Sequence, residues 1–299
     1  MKIRYYIIIL LAISALSSYT QSRWVQEYFP GLNVVGKDFV ESYDKGYLLT
    51  GKFGQNYVHY NWLIKTDING QVLWYKTLGV QDSFITFFSI DVNSVGNIFL
   101  AGNTSYFDSL NDPIVMKLNS CGEKEWCIDF NTPNHFDYAY TIVALEDGGC
   151  VVLLRYTGVP SYQSDRICLA RIDTEGKLLW KKCYNSLDTN IINEDSWSLL
   201  FTPDYGFLIS GNCDYLDSVT NLYWVKPYLI KTDSSGNFEW ECVLHAYDSN
   251  YIGGQANYST MSPSGQFYYT SISHWYYDPE LERPALGKMD LNGNVIGVY

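Results

Sequence analysis

The chain has 299 residues, of which 47% are hydrophobic and 17% charged, and a formal net charge of −12. That apolar content supplies a large core and excludes a disordered polymer, while the acidic balance repels phosphate backbones and excludes nucleic acid as a natural partner. Twenty-seven Tyr and nine Trp favour strands over helices, because flat aromatic side chains fit a pleated, half-buried surface.

The first predicted element is a leader. "MKIRYYIIILLAISALSSYTQS" carries Lys2 and Arg4, then an apolar run from Tyr5 to Leu16, then small polar residues. The run is short for a bilayer span and suits a signal peptide over residues 1–22, cut between Ser17 and Ser22; an uncleaved anchor is the alternative. No Cys follows the run to take a lipid, and no later segment is apolar enough to cross a membrane. The expected protein is therefore exported, secreted or at the cell surface, with no stable membrane insertion once the leader is removed.

Residues 23–299 then repeat themselves. "WLIKTDINGQVLW" at 62–74 returns as "VMKLNSCGEKEW" at 115–126, "LARIDTEGKLLW" at 169–180, "YLIKTDSSGNFEW" at 228–240 and "LGKMDLNGNVIG" at 286–297. The turn glycines Gly70, Gly122, Gly176, Gly236 and Gly293 are spaced by 52, 54, 60 and 57 residues. Upstream of each lies a second phrase, such as "GYLLTG" (46–51) or "GFLISG" (206–211), and before that an apolar stretch ending in a turn. Each unit thus holds four short strands, a to d, and no stretch keeps a helical period of apolar residues. The units run over about 32–79, 80–130, 131–184, 185–244 and 245–299.

The turns between strands c and d read "DING", "NSCG", "DTEG", "DSSG" and "DLNG". Asp or Asn bonds its own backbone further on and Gly accepts positive φ, which is hairpin chemistry. Each offers one acid at most, too few oxygens for a calcium loop. Trp74, Trp126, Trp180 and Trp240 each stand four residues after the turn glycine, a fixed place that suits docking against the neighbouring unit. Trp24, in "SRWVQEYFPG" (22–31), stands one period earlier. The segment therefore reads as a lone strand d. The expected fold is all-β: a propeller of five four-stranded antiparallel blades, with the N-terminal strand completing the last blade and closing the ring. A fragment of a six- to eight-bladed propeller is the alternative.

Units of this form resemble the repeats of secreted bacterial β-propellers, especially of Bacteroidetes type, over residues 23–299. The segment "TDSSGNFEW" is also similar to the tryptophan-docking motif of quinoprotein dehydrogenases, one residue shorter at the turn. The quinoprotein-like resemblance implies a packing role for Trp240 and its equivalents and carries no quinone chemistry, since the adjacent-cysteine pair of those enzymes is missing. Many relatives end in a sorting domain for type IX secretion, and this sequence has none.

Export permits disulfides, yet seven Cys (121, 127, 150, 168, 183, 213 and 242) scattered over strands do not form a staple framework; Cys168 and Cys183 flank one predicted hairpin and are the best candidate pair. The four His stand far apart, so no metal and no cofactor is expected. Tight turns occupy one face of a propeller, and long loops rich in Tyr, Trp, Asn and Asp occupy the other. Loops on a rigid scaffold are where sites arise. The strongest patch is His274, Trp275, Tyr276 and Tyr277, with Tyr223 and Trp224 from the preceding unit; Asp137 and Asp195 complete the candidate binding set. Such rings and acids suit a glycan or a protein partner. The leading expectation is a non-catalytic, monomeric binding module. The first rival is a glycosidase or lyase using Asp137, Glu194, Asp195 and Asp248 at a central channel; the second is a structural module of a longer surface protein.

Overall fold

The computed structural model describes residues 25–29, 33–55, 58–79, 84–105, 111–130, 137–156, 166–218, 221–244, 254–273 and 284–299. Among these, twenty strands form five antiparallel four-stranded sheets, each from strands consecutive in the chain. The first holds β1 (Val34–Glu41), β2 (Tyr47–Gln55), β3 (Val58–Thr66) and β4 (Val72–Leu78). The second holds β5 (Phe84–Val92), β6 (Ile98–Ser105), β7 (Asp112–Leu118) and β8 (Lys124–Asp129). The third holds β9 (Tyr138–Ala144), β10 (Cys150–Tyr156), β11 (Arg166–Ile172) and β12 (Leu178–Tyr184). The fourth holds β13 (Ile191–Phe201), β14 (Phe207–Asp217), β15 (Leu222–Thr232) and β16 (Phe238–Val243), and the fifth β17 (Gln255–Met261), β18 (Phe267–Ser273), β19 (Pro284–Asp290) and β20 (Val295–Val298). The fold is all-β and propeller-like.

The turn chemistry explains the hairpins. Asp67 accepts the backbone N–H groups of Asn69 and Gln71 at 2.8 Å, and Gly70 adopts φ 77°. Asn119, Asp173, Asp233 and Asp290 make the same pair of bonds in their own sheets. At each turn one side-chain oxygen, Oδ1, thus holds two backbone donors and fixes the hairpin.

Third strands carry a buried base matched to carboxylates. Lys65 pairs with Asp44 at 2.5 Å, Lys117 with Glu125 at 3.0 Å, Lys231 with Asp204 at 2.8 Å and Glu239 at 3.0 Å, and Arg171 with Asp147. Asp44, Asp147 and Asp204 also cap the a–b turns by accepting the N–H of Gly46, Gly149 and Gly206. A buried charge is tolerated only when paired in this way.

Apolar side chains fill the spaces between successive sheets. Leu48, Leu63, Phe87 and Leu100 join the first and second; Phe99, Val115, Ile142 and Val152 the second and third. Leu153, Leu169, Phe207 and Ile209 join the third and fourth; Leu208, Leu229, Tyr268 and Met289 the fourth and fifth. At the periphery, Trp74, Trp126, Trp180 and Trp240 lie against Gly122, Gly176, Gly236 and Gly293 of the following sheet, where a Cβ would come within 2.7–3.1 Å of the indole. Trp126 also donates Nε1–H to the Thr174 carbonyl at 3.0 Å. All four indoles are half-buried rather than enclosed.

The N-terminus differs from expectation. The fifth sheet takes its outer strand from β20, and residues 25–29 form no strand. They run beside the first sheet instead: the Tyr28 hydroxyl donates to the Gly70 carbonyl at 2.8 Å, and the Phe29 ring sits 5.9 Å from Trp62 and 6.1 Å from Tyr75. Tyr184, at the end of β12, donates to Gly236 of the next sheet in the same manner. The segment therefore makes the contact of a preceding strand d without pairing as one. The "NVIGVY" segment, two bonds between Leu286 and Tyr299 included, already fills the edge it was expected to occupy. Trp24 and the expected leader lie outside the described residues.

Cys168 and Cys183 face each other across β11 and β12 and are joined by a disulfide. Cys121, Cys127, Cys150, Cys213 and Cys242 are free thiols.

Candidate functional site

The first strands β1, β5, β9, β13 and β17 lie side by side in chain order. Each contains an equivalent β-bulge, and β13 has a second at Ile192. The register skips Lys37 in β1, Phe88 in β5, Tyr140 in β9, Trp197 in β13 and Asn257 in β17. A bulge leaves one residue out of the ladder and re-aims its side chain. All five skipped residues line one cavity of about 560 Å³, together with Asp38, Ser89, Thr141, Gln255 and Tyr258. Every sheet thus contributes its innermost strand to the same space, and that volume is in the range of small-ligand sites.

Strand b makes the bulge possible. Gly102 stands opposite Phe87, and a Cβ there would sit 1.9 Å from the Thr86 carbonyl oxygen. Where strand b carries Leu154 or Ile272 instead of glycine, the facing residue on the inner strand is Ala139 or Ala256. One side or the other stays small so that the inner backbone can press inward.

The wall is an aromatic belt with a cation at one end. Phe88 and Tyr140 have ring centroids 6.0 Å apart, Tyr140 and Trp197 5.5 Å, and Tyr138 stacks on Tyr140 at 5.4 Å. Lys37 places Nζ 5.5 Å from the Phe88 centroid, a cation–π distance. Trp197 is oriented by its Nε1–H donating to Asn212 Oδ1 at 2.8 Å. The opposite wall is polar, from Gln255 and Asn257, and Tyr258 is exposed at the rim.

Links between sheets hold the belt in place. Asp38 Oδ2 accepts the Ile90 N–H at 3.0 Å, Asp91 Oδ2 accepts the Ala144 N–H at 2.8 Å, and the Thr141 hydroxyl donates to the Trp197 carbonyl at 3.0 Å. Burial raises the Asp38 carboxyl and pushes Asp91 up to about 6. Burial, and then the charge of Lys52, lower the Lys37 ammonium.

The expected site residues are scattered. Asp137 is fully buried at the head of β9, with its backbone N–H donating to the Asn111 carbonyl at 2.9 Å. Asp195 forms an ion pair with Arg155 at 3.0 Å, and Arg155 reaches the Tyr140 hydroxyl at 3.5 Å. Asp195 therefore braces the belt from behind instead of lining the cavity. Glu194 faces Glu241 through Ser186 within the fourth sheet. Tyr223 and Trp224 sit at the start of β15, on a hairpin where β14 and β15 run to eleven residues each; Tyr223 is exposed and neither borders the cavity. His274, Trp275, Tyr276, Tyr277 and Asp248 lie outside the described residues, as do most of the long loops. Among the described residues Asp38 is the one carboxylate on the cavity wall, and its oxygens accept the N–H groups of Phe39 and Ile90. Among the described residues no cluster of three or more His, Cys, Asp or Glu is placed to hold a metal, and no helix is long and apolar enough to cross a membrane.

No family model matches the chain, and no curated protein sequence matches it. Solved structures match its fold. The cobalt-substituted apocarotenoid oxygenase of Synechocystis superposes with a TM-score of 0.52 at 12% identity, covering 90% of this chain and 62% of that one. Weaker likenesses are to a thermostable family-43 glycoside hydrolase (TM-score 0.45, 11% identity, 91% and 96% covered) and to a mannose phosphorylase from Leishmania mexicana (0.44, 12%, 96% and 96%). The chain spans 55% of an initiation factor and 62% of the oxygenase. At such identities the likeness shows the fold alone: an all-β, propeller-like protein whose innermost strands share one cavity.

Proposed function

We propose that this protein is an exported, non-catalytic binding module whose five sheets close into a ring around the cavity, and that the cavity takes a glycan. One observation carries the reading: five equivalent bulges, one per sheet, aim their side chains into a single space, and three of the five are contiguous aromatic rings. The C–H face of a pyranose packs on such rings, while its hydroxyls bond amides of the kind supplied by Gln255 and Asn257. Of the carboxylates of the glycosidase reading, Asp195 is tied to Arg155, Asp137 and Glu194 are buried and off the cavity wall, and Asp248 lies outside the described residues.

The test is an oligosaccharide panel against the purified protein and Trp197→Ala, with thermal melts to show that both are folded. Binding of one glycan class that falls at least tenfold in Trp197→Ala supports the reading. Wild-type affinity in a folded Trp197→Ala, or no binding across the panel, overturns it.

A further inference from the structure

The cavity holds one feature that a neutral sugar does not need. Lys37, at the end of the belt, makes no ion pair among the described residues, and neither does Lys52 beside it on β2. Lys65, Lys117, Arg155, Arg171 and Lys231, which are buried or nearly so, are each matched to a carboxylate, whereas Lys37 is exposed at the cavity, and acids outnumber bases by 32 to 20. Asp38 is the next residue, but its carboxylate is engaged by the N–H groups of Phe39 and Ile90. The neighbouring ammonium groups of Lys37 and Lys52 repel each other. An anionic ligand would relieve this repulsion.

Resting on the glycan reading, we infer that the ligand is an acidic glycan whose pyranose ring lies on Tyr140 and Trp197 and whose carboxylate meets Lys37, with Lys52 behind it. The spacing suits this. From Trp197 through Tyr140 and Phe88 to Lys37 the successive separations are 5.5, 6.0 and 5.5 Å, so the belt is longer than one sugar ring, and an oligomer with one residue stacked on Tyr140 and Trp197 extends a neighbouring residue's carboxylate along Phe88 to the ammonium. Charge-assisted hydrogen bonds to a carboxylate are about twice as strong as neutral ones, and they weaken with salt. A positive point inside an acidic shell also selects among acidic chains, because only a ligand that reaches the axis gains the attraction.

The experiment is calorimetric titration with oligomers of galacturonate, glucuronate and mannuronate, each beside its carboxyl-reduced counterpart and a sulfated neutral oligomer of equal length. The expected result is that one uronate binds at least tenfold more tightly than its reduced form. Lys37→Gln should bring that ratio close to one, Lys37→Arg should keep most of it, and 0.5 M salt should shrink it. A ratio near one in the wild type, or a ratio unchanged in Lys37→Gln, overturns the charge assignment while the glycan reading stands. A preference for the sulfated oligomer overturns the carboxylate. Binding of neither acidic nor neutral chains overturns the glycan reading itself.

Discussion

Replacing Glu194 by Gln should stabilise the protein at neutral and alkaline pH and leave it unchanged in acid. Glu194, on β13, is 6% exposed; one carboxylate oxygen accepts the Ser186 N–H and the other has no partner. Glu241 on β16 stands across from it, its own oxygens taken by the Ser186 hydroxyl at 2.9 Å, the Leu187 N–H at 3.1 Å and the Tyr228 hydroxyl. Burial first, and then the charge of Glu241, push the Glu194 carboxyl from 4.5 up to about 7. The folded state therefore binds this proton more tightly than the unfolded chain. Stability from this group is full below pH 4.5 and is lost as pH rises through about 7. Each pKa unit is about 1.4 kcal/mol, so the loss reaches about 3 kcal/mol above pH 8. Gln keeps an oxygen for the Ser186 N–H and carries no charge. Urea denaturation of both proteins at pH 4 and pH 8.5 should give coincident midpoints in acid and a higher midpoint for Glu194→Gln in alkali. Asp91 titrates in both and cancels in the difference. A difference that does not change with pH, or a less stable Glu194→Gln at pH 8.5, would refute the reasoning.

Four further perturbations test the framework. Trp180→Ala removes a half-buried indole from Gly236 of the next sheet and should cost about 2–3 kcal/mol by chemical denaturation, below the range for enclosed Trp. Gly236→Ala adds a Cβ 2.7 Å from the same indole at φ 74°, and should be comparably destabilising and non-additive with Trp180→Ala. Lys231→Ala, at a side chain 1% exposed, removes the cation shared by Asp204 and Glu239 and, because both carboxylates are partly exposed, should cost about 1–3 kcal/mol at pH 7, read as the urea denaturation midpoint. Reducing the Cys168–Cys183 disulfide, which closes a 15-residue separation, should lower stability by about 3 kcal/mol, read as the denaturation midpoint with and without reductant.

The scaffold was written locally and could be read locally. Asp67, Gly70 and Trp74 recur at fixed offsets because each does a job within a few residues or against the adjacent sheet, so every copy faces the same demand. The bulged residues escaped that logic. Lys37, Phe88, Tyr140, Trp197 and Asn257 share a position but no chemistry, and one extra residue in a strand leaves no period to detect. The trace was there in strand b. The closing glycine of "GYLLTG", "GNIFLAG" and "GFLISG" reads as the start of a loop, yet Gly51, Gly102 and Gly211 sit within the ladder and make room for the inner strand. The long loops, rich in Tyr and Trp, point instead to Tyr223 and Trp224, which do not border the cavity. Lys65 and Lys231 show the converse: their repeated place in "IKTD" is explained by Asp44 and Asp204, which lie 21 and 27 residues earlier and meet them only in the folded sheet.

Crystals soaked with the best-binding oligosaccharide would test the assignment of the axis most directly. The predicted density is a sugar ring stacked on Trp197 and Tyr140, with an acidic group directed to Lys37 and all five innermost strands around it. A sugar held instead on the β14–β15 hairpin or the outer strands, with the axial cavity empty, would contradict it.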